Sequence, residues 1–194
     1  MDQDFLLKAY GAFWGPEAGP WNLSVEQKYL EYRITAFFEE NFPVARGAEI
    51  CNIGIGAGYW DRYLSYRLDG GSLTSIDLDP ESCRALREGL KNEGNPNPVT
   101  VVNKNVMDCG ELRGRFSIVT MVGSTRMESG LFEDILGIAA GFLKPGGALY
   151  YQSLAQDEDP EDMGALWERL GLEVEKYRPE APFGRTCHYW KLIA

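Results

Sequence analysis

Gly54, Gly56 and Gly58 alternate with other residues directly after the short apolar run Glu49 to Ile53 and before apolar positions at helical spacing, Trp60, Leu64 and Leu68. A glycine-rich turn from strand to helix lets the chain bend tightly and lets a ligand reach the backbone without meeting a Cβ atom. The same pattern also arises as plain turn chemistry, and the glycines alone leave both readings open. Asp77 ends the next apolar run, where a carboxylate can accept hydrogen bonds from both ribose hydroxyls of an adenosine-type ligand, NAD included. Asp79, before Pro80, reads as a helix N-cap. Asp108, after Val106 and Met107, reads either as an adenine contact beside an apolar wall or as a solvated loop.

These residues depend on an alternation of strands and helices. Ser24 with Gln27 forms a capping-box pattern, and Leu30, Ile34, Phe37 and Phe38 predict a helix from about Ser24 to Glu40. Strands are expected at Glu49 to Ile53, Leu73 to Ile76, Val99 to Val102, Phe116 to Val122 and Ala148 to Gln152. The helices between them carry the stripes Trp60, Leu64, Leu68; Cys83, Leu86, Leu90; and Phe132, Ile135, Ala139, Phe142, the last ended by Pro145, Gly146 and Gly147. Asp159 and Pro160 start a further helix through Met163, Leu166, Trp167 and Leu170, closed by Gly171. Two last strands, near Leu172 to Tyr177 and Arg185 to Ile193, have only a short connection and predict a hairpin. Strands alternating with helices imply parallel βαβ units covered on both faces, and the hairpin adds an antiparallel strand.

The runs Glu49 to Gly58, Thr74 to Pro80, Asn105 to Asp108 and Leu143-Lys144-Pro145-Gly146-Gly147 resemble, in order and spacing, the successive motifs of class I S-adenosylmethionine-dependent methyltransferases. The resemblance covers roughly Glu49 to Gln152, and its discriminating piece is the Leu-Lys-Pro-Gly-Gly stretch, which dinucleotide oxidoreductases do not usually show. It implies an α/β fold with a Rossmann-like, doubly wound, mostly parallel seven-stranded sheet and an antiparallel C-terminal strand. It also implies S-adenosylmethionine as cofactor, with Gly54, Gly56 and Gly58 passing under the methionine part. Asp77, with Leu78 beside it, would hold the ribose hydroxyls, and Met107 and Asp108 would contact the adenine. The family often has an acidic residue where this chain has Asn52, so an amide oxygen or another group would help hold the cofactor's amino group. Tyr59 directly after the third glycine also looks like the isoaspartyl methyltransferase branch, but no counterpart of that branch's substrate-binding region precedes the glycines.

Methyl transfer is an in-line displacement that alignment alone can accelerate strongly, so no catalytic residue is assigned. His188, the sole side chain with an unperturbed pKa near neutrality, is a candidate base, but on the last strand beside Tyr189 and Trp190 it reads first as structural. Gly123-Ser124-Thr125-Arg126 after the fourth strand is unlike the Asn-Pro-Pro-Tyr segment associated with exocyclic amines of nucleic acids. The expected activity is methyl transfer to a small-molecule acceptor. The competing readings are another reaction of the same cofactor, such as cyclisation, and a non-catalytic cofactor-binding protein.

The chain of 194 residues is 44% hydrophobic and 12% aromatic, which suits one domain with a sizeable core. Residues 1–23, rich in Phe, Trp, Gly and Pro, read as an N-terminal arm or lid, with a packed arm or a contact between two copies as alternatives, and residues 24–194 as the single catalytic domain. A net charge of −10 disfavours nucleic acid and anionic membrane partners. Four scattered cysteines and a single histidine give no metal-ligand spacing and fit a reducing cytoplasm. No export signal or membrane-spanning run is recognisable.

Overall fold

The computed structural model describes Gly19 and residues 22–123, 130–155 and 158–194. Most of the expected N-terminal arm and the segment Ser124 to Arg126 therefore lie outside the described residues. Seven strands form one sheet in the order β3-β2-β1-β4-β5-β7-β6. They are β1 (Glu49–Ile53), β2 (Ser72–Asp77), β3 (Val99–Asn103), β4 (Phe116–Val122), β5 (Leu143–Ser153), β6 (Glu173–Glu180) and β7 (Cys187–Ile193). Neighbours among the first five pair in parallel, while β7 runs antiparallel to both β5 and β6, as the predicted hairpin requires. The helices are α1 (Val25–Asn41), α2 (Tyr59–Tyr66), α3 (Pro80–Asn92), α4 (Phe132–Phe142) and α5 (Pro160–Arg169). Among the described residues no helix is long and apolar enough to cross a membrane.

Period-two alternation divides the sheet's side chains between two cores. Ile50, Ile118, Ala148 and Tyr150 face α1 and α2, where Phe37, Phe38, Trp60 and Leu64 cover them. Cys51, Ile53, Val119, Met121, Leu149 and Tyr151 face α4 and α5, against Leu136, Phe142, Leu166 and Trp167. On the first face Phe37 stacks on Tyr150 at 5.5 Å between ring centroids, and the Tyr150 hydroxyl donates to the Ile34 carbonyl at 3.0 Å. On the second, the buried Glu158 carboxylate accepts from Tyr151 at 2.9 Å and from the Trp190 indole at 3.3 Å, so its burial is matched by donors. Arg33 donates to both oxygens of Glu180, tying α1 to the hairpin.

Local signals set most boundaries. The Ser24 hydroxyl accepts from the Gln27 amide at 3.0 Å, while the Gln27 side chain turns to Glu31 instead of completing the capping box. Asp79 and Asp159 cap α3 and α5, each before a first-turn proline. The Leu143 to Gly147 stretch is a correction: it forms the first part of β5 rather than a turn ahead of it. Leu143 adopts extended geometry and pairs with Phe116, and a register shift follows before regular pairing resumes at Ile118 and Ala148. Glycine is required there because a Cβ on Gly147 would stand 2.9 Å from the Lys144 carbonyl oxygen and 3.1 Å from that of Phe116.

Two adjacent glycines ahead of β2 separate steric from conformational cost. A Cβ on Gly71 would lie 2.0 Å from the Ala48 carbonyl oxygen, whereas Gly70 has open space but a φ of +67°. Gly71→Ala is expected to cost about 3 kcal/mol or more, because backbone must move. Gly70→Ala should cost about 1–2 kcal/mol, the left-handed penalty alone. Urea unfolding of the two variants checks the order.

Candidate active site

The carboxyl ends of β1, β2, β4 and β5 lie along one edge of the sheet, the edge at which open α/β sheets bind ligands. A cavity of about 410 Å³ opens there. Its floor is Gly54 to Trp60, with Asp77 and Ser82 on one side and Val122, Gly123, Gln152 and Leu154 on the other, while Gln27, Leu30, Glu31 and Ile34 of α1 form the opposite wall.

Gly54, Gly56 and Gly58 have φ of +87°, +54° and +80°, so the loop uses a backbone shape that side-chain-bearing residues resist. No atom lies within 4 Å of where a Cβ on Gly56 would stand, which leaves backbone open to a ligand. Asp77 braces the loop: one carboxylate oxygen accepts from the Ile55 amide at 2.6 Å and from the Gly56 amide at 3.3 Å, and the other accepts from the Asp79 amide at 2.8 Å. Asp77 therefore shapes the cradle as well as facing the cavity.

Asn52 does not reach the cavity. It is fully buried, its amide donates to the Gly54 carbonyl and to Asp61, both at 2.9 Å, and its oxygen accepts from Thr120 at 2.7 Å. Thr120 in turn accepts from the Trp60 indole at 3.1 Å. The structure thus places the Asn52 oxygen beneath the loop, outside the cavity lining where the contact with the cofactor was expected. Leu78, Met107 and Asp108 follow β2 and β3 on the same edge but do not line the cavity. Leu78 is 71% exposed, Met107 packs against the second core and Asp108 is exposed in a 3-10 turn. His188 lies outside the cavity, with Nδ1 and the Tyr177 hydroxyl 3.0 Å apart. The four cysteines are buried and unpaired.

Three further residues went unmarked in the sequence. Asp61 is completely buried, and burial pushes its carboxyl up to about 7 against the opposing influence of Ser75 and Asn52. Its place on the buried stripe of α2, beside Trp60 and Leu64, was the available signal. Gln152, at the buried end of β5, donates from Nε2 to the Ser153 carbonyl at 3.1 Å, while its Oε1 has no hydrogen-bond partner among the described residues. A buried acceptor left unpaired costs ~1–3 kcal/mol, which a ligand donor can recover. The Glu31 carboxylate, 11% exposed, accepts from Lys28 at 2.8 Å and Gln27 at 3.4 Å. Tyr59 lies 2.8 Å from the Thr35 hydroxyl, and burial raises its phenol.

A glycine cradle braced by a carboxylate at the end of β2, under a sheet of this strand order, defines an adenosine-cofactor enzyme of the doubly wound class. The family model described as Methyltransferase domain matches residues 50–147, just over half of the chain. The chain belongs to the class I S-adenosylmethionine-dependent methyltransferase family, and S-adenosylmethionine is its cofactor. It is 27% identical over 135 residues to the ribosomal protein L11 methyltransferase of Pelotomaculum thermopropionicum, which covers 68% of this chain and 40% of that protein. The chain thus spans about two fifths of that relative's length. Its fold is similar to that of magnesium protoporphyrin IX methyltransferase from Synechocystis PCC 6803, solved with bound S-adenosylmethionine. That likeness has a TM-score of 0.71 at 12% identity over 100% of this chain and 97% of the other. The cyclase SpnF has the same fold with a TM-score of 0.73 at 12% identity over 83% of this chain and 79% of its own.

The residues present fit the cofactor, because the loop leaves open backbone beside Gly56 and Asp77 offers a carboxylate at the cavity wall. Asp61 predicts a pH signature. Its folded-state value of about 7 lies above the ordinary aspartate range, so the native state binds the extra proton between those limits. Its contribution to stability is present at low pH and is lost as pH rises from about 4 towards about 7. The difference in melting temperature between parent and Asp61→Asn should shift against the parent from pH 5 to pH 8. A constant difference would show that Asp61 does not titrate in this window.

Proposed function

We propose that the chain transfers the methyl group of S-adenosylmethionine to a small-molecule acceptor. The observation that carries this reading is the cavity of about 410 Å³ joining the glycine loop to the ends of β4 and β5. That volume falls within the about 300–1,000 Å³ of small-ligand clefts. When bound, S-adenosylmethionine supplies an electrophilic methyl carbon on a positively charged sulfur.

The chain's residues would bind and align. Gly54, Gly56 and Gly58 would run beneath the methionine part, and Asp77 would accept from the ribose hydroxyls. Leu78, Met107 and Asp108 would border the adenine. The apolar walls from Leu30, Ile34, Val122 and Leu154 would hold the acceptor in line with the methyl carbon. Asp77, the acidic residue of the lining that bonds the glycine loop, suits a cationic cofactor. Burial raises the phenol of Tyr59, the tyrosine directly after the loop, still further above neutrality.

Calorimetry should show S-adenosylmethionine and S-adenosylhomocysteine binding in preference to NAD. Asp77→Ala should weaken S-adenosylhomocysteine binding about 10- to 100-fold, the scale of hydrogen bonds to a charged acceptor. Unchanged affinity would refute the ribose assignment. A screen of small molecules and proteins that reads both S-adenosylhomocysteine and methylthioadenosine should report S-adenosylhomocysteine with small molecules. Turnover confined to proteins would replace the acceptor class, and methylthioadenosine alone would replace methyl transfer.

A further inference from the structure

Gln152 and Glu31 both line the same cavity, one from the end of β5 and the other from the middle of α1. Gln152 is fully buried, and because Nε2 donates to Ser153, the group left without a partner is an acceptor, Oε1. Register explains its direction. It pairs with Val122 on β4 and follows Tyr150 on the strand face that packs under α1, so its side chain lies on the α1 side of the sheet. A Cβ placed on Gly123 would come 3.8 Å from Oε1, and glycine there keeps the approach open.

Glu31 also presents acceptors only. Its partner Lys28 is 56% exposed, and ion pairs with such an exposed partner are weakly held, so a ligand cation can compete for the carboxylate. No arginine or lysine among the described residues lines the cavity, which disfavours carboxylate or phosphate on the acceptor. Leu30, Ile34, Val122 and Leu154 provide an apolar sleeve between these polar ends.

From this juxtaposition we infer that the methyl acceptor is a primary amine on an apolar stem, recognised through its N–H groups by Gln152 Oε1 and the Glu31 carboxylate. This rests on the methyltransferase reading above. The amine binds as an ammonium ion and gives one proton to water. The nitrogen lone pair then forms the C–N bond to the methyl carbon. The S–C bonding pair returns to sulfur, leaving S-adenosylhomocysteine, and the methylated ammonium releases a second proton to water to leave as the neutral amine or stays charged in solution.

The test uses the full chain loaded with S-adenosylhomocysteine and titrates benzylamine and butylamine against benzyl alcohol, butanol and benzoate. Amines should bind at least about tenfold more tightly than the matched alcohols, because an alcohol brings fewer donors and no charge. Gln152→Met and Glu31→Gln should each weaken amine binding about tenfold while changing S-adenosylhomocysteine affinity less than about twofold. Equal binding of amines and alcohols by the parent protein overturns the inference without recourse to any variant. A parallel loss of S-adenosylhomocysteine affinity in both variants also overturns it, by assigning the two residues to the cofactor. Failure of the parent to bind S-adenosylhomocysteine would overturn the functional reading and this inference together.

Discussion

The buried side chain of Asn52 joins four parts of the molecule that the site cannot do without. Its amide holds the Gly54 carbonyl and Asp61 of α2, and its oxygen is held by Thr120 of β4, itself bonded to Trp60. Register places Asn52 and Thr120 opposite each other on one sheet face, beneath the glycine loop. In a dry interior each of these bonds matters more than at the surface, because the partner left behind would be unsatisfied. The carboxyl that Asn52 bonds, Asp61, lies in the first turn of α2 and is fully buried, away from the cavity lining.

Above that layer, the cradle is set by backbone. Asp77 accepts from two loop amides, so a carboxylate that lines the cavity also stabilises the loop's curvature. Positive φ at the three glycines is tolerated only because they lack Cβ atoms. The loop therefore arrives prearranged, which reduces the ordering cost that binding would otherwise meet.

The acceptor side is built differently. Phe37, Phe38, Phe42, Trp60 and Tyr150 pack α1 onto the sheet through close ring contacts, and the ties from Arg33 to Glu180 anchor the same helix to the hairpin. This rigid attachment sets the distance between the Glu31 wall and the Gln152 wall. Two of the polar groups there, Gln152 Oε1 and the Glu31 carboxylate, are acceptors, and the first has no partner among the described residues.

Alternation, capping residues and glycine placement were enough to read the order of elements, the antiparallel hairpin, the glycine loop and Asp77 from the sequence, because each is a local pattern with a local physical cause. The start of β5 was not legible, since Pro145 and Gly146 look like a turn, and only the pairing of Leu143 with Phe116 begins the strand ahead of them. Asn52 was legible as a position but not as a role. Whether an amide meets ligand or interior depends on Thr120 and Asp61, which the fold brings to it from elsewhere in the chain. Gln152 and Glu31 carry no motif at all. Sequence by itself determined the glycine turn at the strand ends, because backbone geometry there requires particular residues. Only the tertiary structure decided which polar side chains line the cavity, because burial and pairing are properties of what surrounds a side chain, not of the side chain itself.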